Sequence, residues 1–160
     1  MSIPFNANEI FEMAKEIEVN GAKFYRAAAK KFPDVSGILL DLAAMEDDHF
    51  KTFTSMQAEL SGPEVDPPVF DPEGEAEMYL RAMADQHVFD IKVDPLDLLE
   101  RHETSRDIVL MAIGMEKDSI AFYVGLRESV SQKAGKDKID AIIKQEYSHI
   151  VTLSKKLQEM

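Results

Sequence analysis

The sequence predicts an all-α fold: a four-helix bundle of two antiparallel hairpins joined by one long crossover that contains a short helix. Three observations predict it. Four stretches carry apolar residues at alternating steps of three and four, the spacing of a helix stripe that faces a core. Stop and start signals leave short turns between the first and second long helices and between the third and fourth, with a long proline-rich link in the middle. The two halves also repeat, since EIEVNGAKFY in the first helix parallels IGMEKDSIAFY in the third.

The first helix starts at Asn6 or Asn8, either of which can cap it, and runs to about Phe32, where Pro33 stops it. Its seam reads Phe11, Ala14, Glu18, Gly21, Tyr25, Ala28, Phe32. The second helix begins near Asp34 to Ser36 and ends at Ser61-Gly62-Pro63, a glycine stop followed by a proline. Its seam is Leu39, Leu42, Glu46, His49, Phe53, Met56, Leu60. From Ser61 to Pro72 the prolines 63, 67, 68 and 72 exclude helix and central strand, so an ordered surface connection is expected. A short helix follows over about Glu73 to Gln86. Asp94-Pro95-Leu96-Asp97 joins an N-cap, a proline at the first helical position and an acid in the first turn, which starts the third long helix near residue 95 and carries it to about Val130. Its seam is Val109, Ala112, Glu116, Ser119, Tyr123, Leu126, Val130. Ser131 to Lys136 contains Gly135 and makes a tight return, after which Asp137 caps a fourth helix over about 138 to 158, with seam Ile139, Ile142, Glu146, His149, Leu153. In this topology the second and third long helices run parallel.

A chain of 160 residues at 45% hydrophobic is long enough for one well-buried core, so one domain over 1–160 is expected. Its 18 basic and 30 acidic residues leave a net charge of -12, which disfavours nucleic acid and anionic membrane and favours cations. The absence of cysteine excludes disulfides, thiolate zinc and cysteine-ligated iron–sulfur centres on this polypeptide. The N-terminus MSIPFNANEI lacks a basic region followed by an apolar run, and no segment approaches the roughly 20 apolar residues of a membrane helix, so a soluble, cytoplasmic protein is expected. No glycine-rich phosphate loop or nucleophile elbow is present.

Against this apolar patterning, Glu18, Glu46, His49, Glu116, Glu146 and His149 stand in seam positions that a bundle reserves for its core. A buried carboxylate costs several kcal/mol, and four close together also repel. No lysine or arginine stands beside them on the seams. Protonating all four by burial would consume stability that a small domain hardly has. Two divalent cations would neutralise them. Residues three apart on a helix lie about 5 to 6 Å apart at Cβ on one face, so Glu46 and His49 can grip one ion together, as can Glu146 and His149. Oxygen-rich ligands with one imidazole per ion suit iron(II) or manganese(II) better than a closed zinc site.

On Glu18 with Phe24-Tyr25, Glu46-Asp47-Asp48-His49, Glu116 with Phe122-Tyr123, and Glu146-Tyr147-Ser148-His149, the chain resembles the rubrerythrin-like branch of the ferritin-like di-iron carboxylate superfamily, over essentially its whole length. The resemblance implies a ferritin-like bundle with a non-haem centre of two iron ions that acts on peroxide or oxygen, as a peroxidase or ferroxidase does. It implies that Glu46 and Glu146 bridge the ions, that Glu18 and Glu116 are terminal ligands, and that His49 and His149 each complete one ion. Manganese is the alternative metal, and iron sequestration without turnover is the alternative function. A third reading is a helical interaction module holding zinc or nothing. Two features depart from the rubrerythrin pattern. Ser119 stands where those proteins typically place an extra glutamate, and no cysteine-ligated rubredoxin domain is present, so an external electron donor is expected. Without the further C-terminal helix of storage ferritins, a small oligomer is expected rather than a shell, and the resemblance implies a homodimer.

Other residues invite a role. Gly21 and Ser119, one turn beyond Glu18 and Glu116, either leave room for an exogenous ligand or serve close helix packing. Tyr25 and Tyr123 either hydrogen-bond ligands and relay electrons or fill the core. His87 and His102 lack a glutamate three residues before them and read as surface or boundary histidines. Asp71, Glu73, Glu75 and Glu77 read as the acidic first turn of a solvated helix, and the nine methionines as core filler.

Overall fold

A computed structural model describes residues 6–60, 73–85, 94–130 and 135–160. Helix α1 (Ala7–Lys31) opens on Asn6, whose side chain accepts from the Glu9 N–H at 2.9 Å while the Glu9 carboxylate accepts from the Asn6 N–H at 2.9 Å. This reciprocal box decides between the two candidate caps. Asn8 lies inside the first turn, where its Oδ1 accepts from Gln57 Nε2 at 2.8 Å. After Phe32 a single 3-10 turn (Pro33–Val35) leads into α2 (Ser36–Glu59). The predicted stop at Ser61-Gly62-Pro63 and the proline-rich connection lie outside the described residues. The short crossover helix is α3 (Glu75–Asp85), preceded by Gly74 at φ +70.

The third long helix is not continuous from residue 95. Asp94 caps a separate α4 (Pro95–Glu100), accepting from the Leu96 N–H at 2.9 Å, and α5 (Ser105–Ser129) starts afresh. The break has a local cause. The Arg101 and His102 N–H groups turn back to the carbonyls of Leu98 and Leu99, and the Thr104 side chain accepts from the Asp107 N–H at 3.1 Å as a new N-cap. Lys31 fastens the corner to α1 by donating to the carbonyls of Leu99 at 3.2 Å and His102 at 2.9 Å. A second correction concerns α6 (Lys136–Glu159), whose N-cap is Gly135 at φ +101, so Asp137 lies in the first turn and does not cap it. The left-handed backbone there suits glycine.

Cross-helix contacts set the directions. Gln57 meets Asn8 and Glu12 while Arg26 meets Asp47, so α1 and α2 are antiparallel. Arg127 meets Asp140 while Arg106 reaches the Leu157 carbonyl, so α5 and α6 are antiparallel too. Across the hairpins, Glu18 meets Tyr123 and Tyr25 meets Glu116, which runs α1 against α5. It follows that α2 and α5 are parallel, as the crossover predicts. The fold is an all-α four-helix bundle of two antiparallel hairpins.

Apolar packing is divided in two. One cluster centres on Phe24, Leu39, Leu42, Ile108 and Met115, the other on Phe11, Phe53, Met56, Leu126 and Ile139, all buried. Each large side chain so buried contributes about 1.5–3 kcal/mol. The second cluster includes Leu80 of α3, where Gly125 of α5 has no side chain and Tyr79 Oη donates to the Ala121 carbonyl at 2.6 Å. Among the described residues, no helix is long and apolar enough to cross a membrane.

Candidate metal centre

Between the two apolar clusters lies a polar layer built from the seam residues. Helical spacing puts Glu18 on the inner face of α1, Glu46 and His49 on that of α2, Glu116 on α5, and Glu146 and His149 on α6. The structure brings all six together and takes them out of water: none is more than 3% exposed. They form two overlapping groups, Glu18, Glu46, His49, Glu146 and Glu46, Glu116, Glu146, His149, whose donor atoms lie within 4.8 Å of one another. Glu46 and Glu146 belong to both.

Both histidines turn Nδ1 towards the carboxylates. His49 Nδ1 lies 2.9 Å from Glu146 Oε1 and 3.4 Å from Glu18 Oε2. His149 Nδ1 lies 3.0 Å from Glu146 Oε2 and 3.2 Å from Glu116 Oε2. Among the described residues, Glu18 Oε2 and Glu46 Oε1 are buried carboxylate oxygens with no hydrogen-bond partner. Unsatisfied buried acceptors are costly, and their convergence on one interior space is what a cation would relieve.

The electrostatics say the same. Burial, reinforced by neighbouring carboxylates, pushes Glu18 and Glu46 well above the ordinary range and Glu116 up to about 8. Burial also raises Glu146, but hydrogen bonds from Glu116, His149 and His49 outweigh it and hold this carboxyl below its usual value. For the histidines burial opposes the charge, yet the carboxylates beside them win and lift His49 to about 9 and His149 to about 10. On α1, Lys15 and Arg26 are committed elsewhere, to Glu12 and Asp47. Tyr25 and Tyr123 are fully buried, and burial beside carboxylates raises both phenols, keeping them protonated donors. Tyr25 donates to Glu116 Oε1 and Tyr123 to Glu18 Oε1, so each reaches the glutamate of the opposite hairpin.

The rubrerythrin family model matches residues 9–158. The chain belongs to the rubrerythrin family. A crystal structure from Thermotoga maritima, of a protein assigned provisionally to the ferritin-like diiron-carboxylate class, superposes with a TM-score of 0.78 at 25% identity over 99% of both chains. No curated protein matches the chain significantly. Membership of this family and the glutamate–histidine cluster together fit di-iron binding.

The structure narrows the alternatives left open for the remaining residues of this rubrerythrin-family sequence. A Cβ on Gly21 would lie 2.8 Å from Glu46 Oε2, so the glycine makes room for that carboxylate and not for an exogenous ligand. Tyr25 and Tyr123 are carboxylate donors as well as core. His102 lies half-buried in the break between α4 and α5, away from the cluster, whereas His87 and Asp71 lie outside the described residues. Sequence reasoning missed Gln145 and Met45 altogether: Gln145 Oε1 lies 2.6 Å from His49 Nε2, and Met45 Sδ lies 3.1 Å from His149 Nε2. The signal was their identical place, each directly before the glutamate of a Glu-x-x-His pair.

Proposed function

We propose that the protein is a non-haem di-iron oxidoreductase acting on peroxide or oxygen, with Glu18, Glu46, His49, Glu116, Glu146 and His149 as both ligands and catalytic residues. One observation carries the reading: two overlapping donor groups share Glu46 and Glu146 and converge on buried atoms that lack partners. The donor set fits the group, since four carboxylates and two imidazoles suit two iron ions, or two manganese ions, better than zinc. When bound, the metal supplies the electrons that cleave an O–O bond.

The chain's own residues prepare that chemistry. Glu46 and Glu146, common to both donor groups, would be shared between the two ions, while Glu18 with His49 and Glu116 with His149 would each complete one position. Tyr123 and Tyr25 each occupy one oxygen, of Glu18 and Glu116 respectively, so that Oε2 of each would be the atom to face a cation. Proton transfer accompanies loading, because the imidazolium and carboxylic acid protons must leave before these atoms can ligate. The apolar clusters on either side keep bulk water from the layer. An external donor returns the electrons, and a homodimer is the assembly that accords with this reading.

The test is anaerobic loading with two equivalents of Fe(II), followed by hydrogen peroxide. Visible ferric absorption, peroxide loss faster than with free iron, and repeated turnover with an added reductant are expected. Saturation with two ions and no turnover would establish sequestration instead.

A further inference from the structure

The paired hairpins are not equivalent where their histidines are supported. Met45 before Glu46 and Gln145 before Glu146 are counterparts in the repeat, and each crosses between α2 and α6 to the outer nitrogen of the opposite histidine. Gln145 offers His49 Nε2 an amide oxygen at 2.6 Å. Met45 offers His149 Nε2 a thioether sulfur at 3.1 Å. An amide oxygen is a full acceptor. In the neutral ring it fixes the proton on Nε2, leaves Nδ1 as the nitrogen able to ligate, and makes that nitrogen more basic towards a metal. A thioether is a weak acceptor and does this poorly.

On the carboxylate side both histidines are engaged, His49 Nδ1 lying 2.9 Å from Glu146 Oε1 and 3.4 Å from Glu18 Oε2. His149 Nδ1 likewise contacts Glu116 Oε2 at 3.2 Å and Glu146 Oε2 at 3.0 Å, and the contacts of both rings must be surrendered on loading. The carboxylate contacts of the two histidines are thus alike, and what differs is the acceptor behind each imidazole.

We infer that the two metal positions fill in order, the Glu18–His49 position first and tightly, the Glu116–His149 position second and weakly, with Gln145 and Met45 as the positioning residues that set the difference. The inference rests on the two-metal reading above. It makes the ion beside His149 the exchangeable one.

Cobalt(II) is a suitable probe, since it binds imidazole and carboxylate without oxidising in air over a titration. Isothermal titration should resolve two steps, and a crystal grown with one equivalent should place the cobalt anomalous signal at the Glu18–His49 position. A lost histidine support typically lowers metal affinity by about 10–100-fold. Gln145→Met should therefore weaken the first step by about that factor and merge the steps, and Met45→Gln should tighten the second. Melting of the metal-free variants should stay near that of the parent, which a merely structural role would not explain. Anomalous signal divided equally, or steps that ignore both substitutions, would overturn the inference while leaving a two-metal centre. A protein that takes up no cobalt would overturn both.

Discussion

Substituting Gly21 by alanine separates folding from metal binding in one residue. The new Cβ would stand 2.8 Å from Glu46 Oε2, 3.4 Å from its Cδ and 3.5 Å from its Cγ. Ordinary contact begins at 3.4 Å, so the carboxylate oxygen must retreat by about 0.6 Å. Only the tip of a flexible side chain has to move, so the fold tolerates it. Alanine is also favoured over glycine inside a helix by roughly 0.5–1 kcal/mol, worth about 2–4 °C per kcal/mol for a chain of this size. The metal-free variant should melt at the parent temperature or a few degrees above it. Metal affinity should move the other way. Glu46 belongs to both donor groups, so its displacement reaches both positions, and a loss of about tenfold or more at each, at least about 1.4 kcal/mol, is expected. Calorimetric melting and cobalt(II) titration of the same sample provide both numbers. Unchanged cobalt affinity would refute the reasoning, because Glu46 would then not be held where the ions bind.

The metal-free protein should lose stability as pH rises. His49 at about 9 and His149 at about 10, both raised from 6.5, contribute stability that is complete below 6.5 and lost as pH passes through those values. Glu116, raised from 4.5 to about 8, acts in the same direction, as do Glu18 and Glu46, whereas the contribution of Glu146 is lost only on acidification below its ordinary 4.5. Melting temperatures of chelated protein should fall between about pH 5 and 10, with the loaded protein resisting the fall; a flat or rising profile for chelated protein would contradict the assigned charges. Tyr123→Phe should leave Glu18 Oε1 without its donor and cost about 1–3 kcal/mol, with Tyr25→Phe similar at Glu116, and chemical denaturation showing no loss for either would refute the crossed contacts. In Gly125→Ala the Cβ would meet Tyr79 ring carbons at 2.8 Å and Leu80 at 2.9 Å, so α3 should be displaced at a cost of about 1–3 kcal/mol. Hydrogen exchange should then quicken in α3 while cobalt uptake persists, and unaltered protection there would show that the contact is slack.

Why six buried residues were legible from sequence is a matter of contrast: a charged side chain on an apolar stripe of helical period is conspicuous, and Glu46 to His49 and Glu146 to His149 share one spacing. Their mutual approach also follows once the helices pair by their seams. The break at residues 101–104 was hidden because the strong start signal at Asp94-Pro95 lies just upstream of a second cap, Thr104, whose side chain serves Asp107. Local propensity alone does not say which start is followed by a long helix. Tyr25 and Tyr123 each stand seven residues from a glutamate on their own helix, which conceals that their partners are on the opposite one. That exchange depends on α1 lying antiparallel to α5, a tertiary fact. Gly21 failed for the same reason, since nothing local reveals which side chain fills the space beside a glycine. Met45 and Gln145 required the register of α2 against α6, which no single helix records.

The crossed phenols have a bearing on how the two halves of the chain depend on each other. A hairpin of α1 and α2 by itself would present two carboxylates and one imidazole with no phenolic hydroxyl for Glu18, and the hairpin of α5 and α6 would leave Glu116 equally unattended. Neither half owns a finished site. Ligand orientation is therefore decided only when the halves dock, so any variant that loosens their mutual seam would blur the centre long before it unfolds the helices.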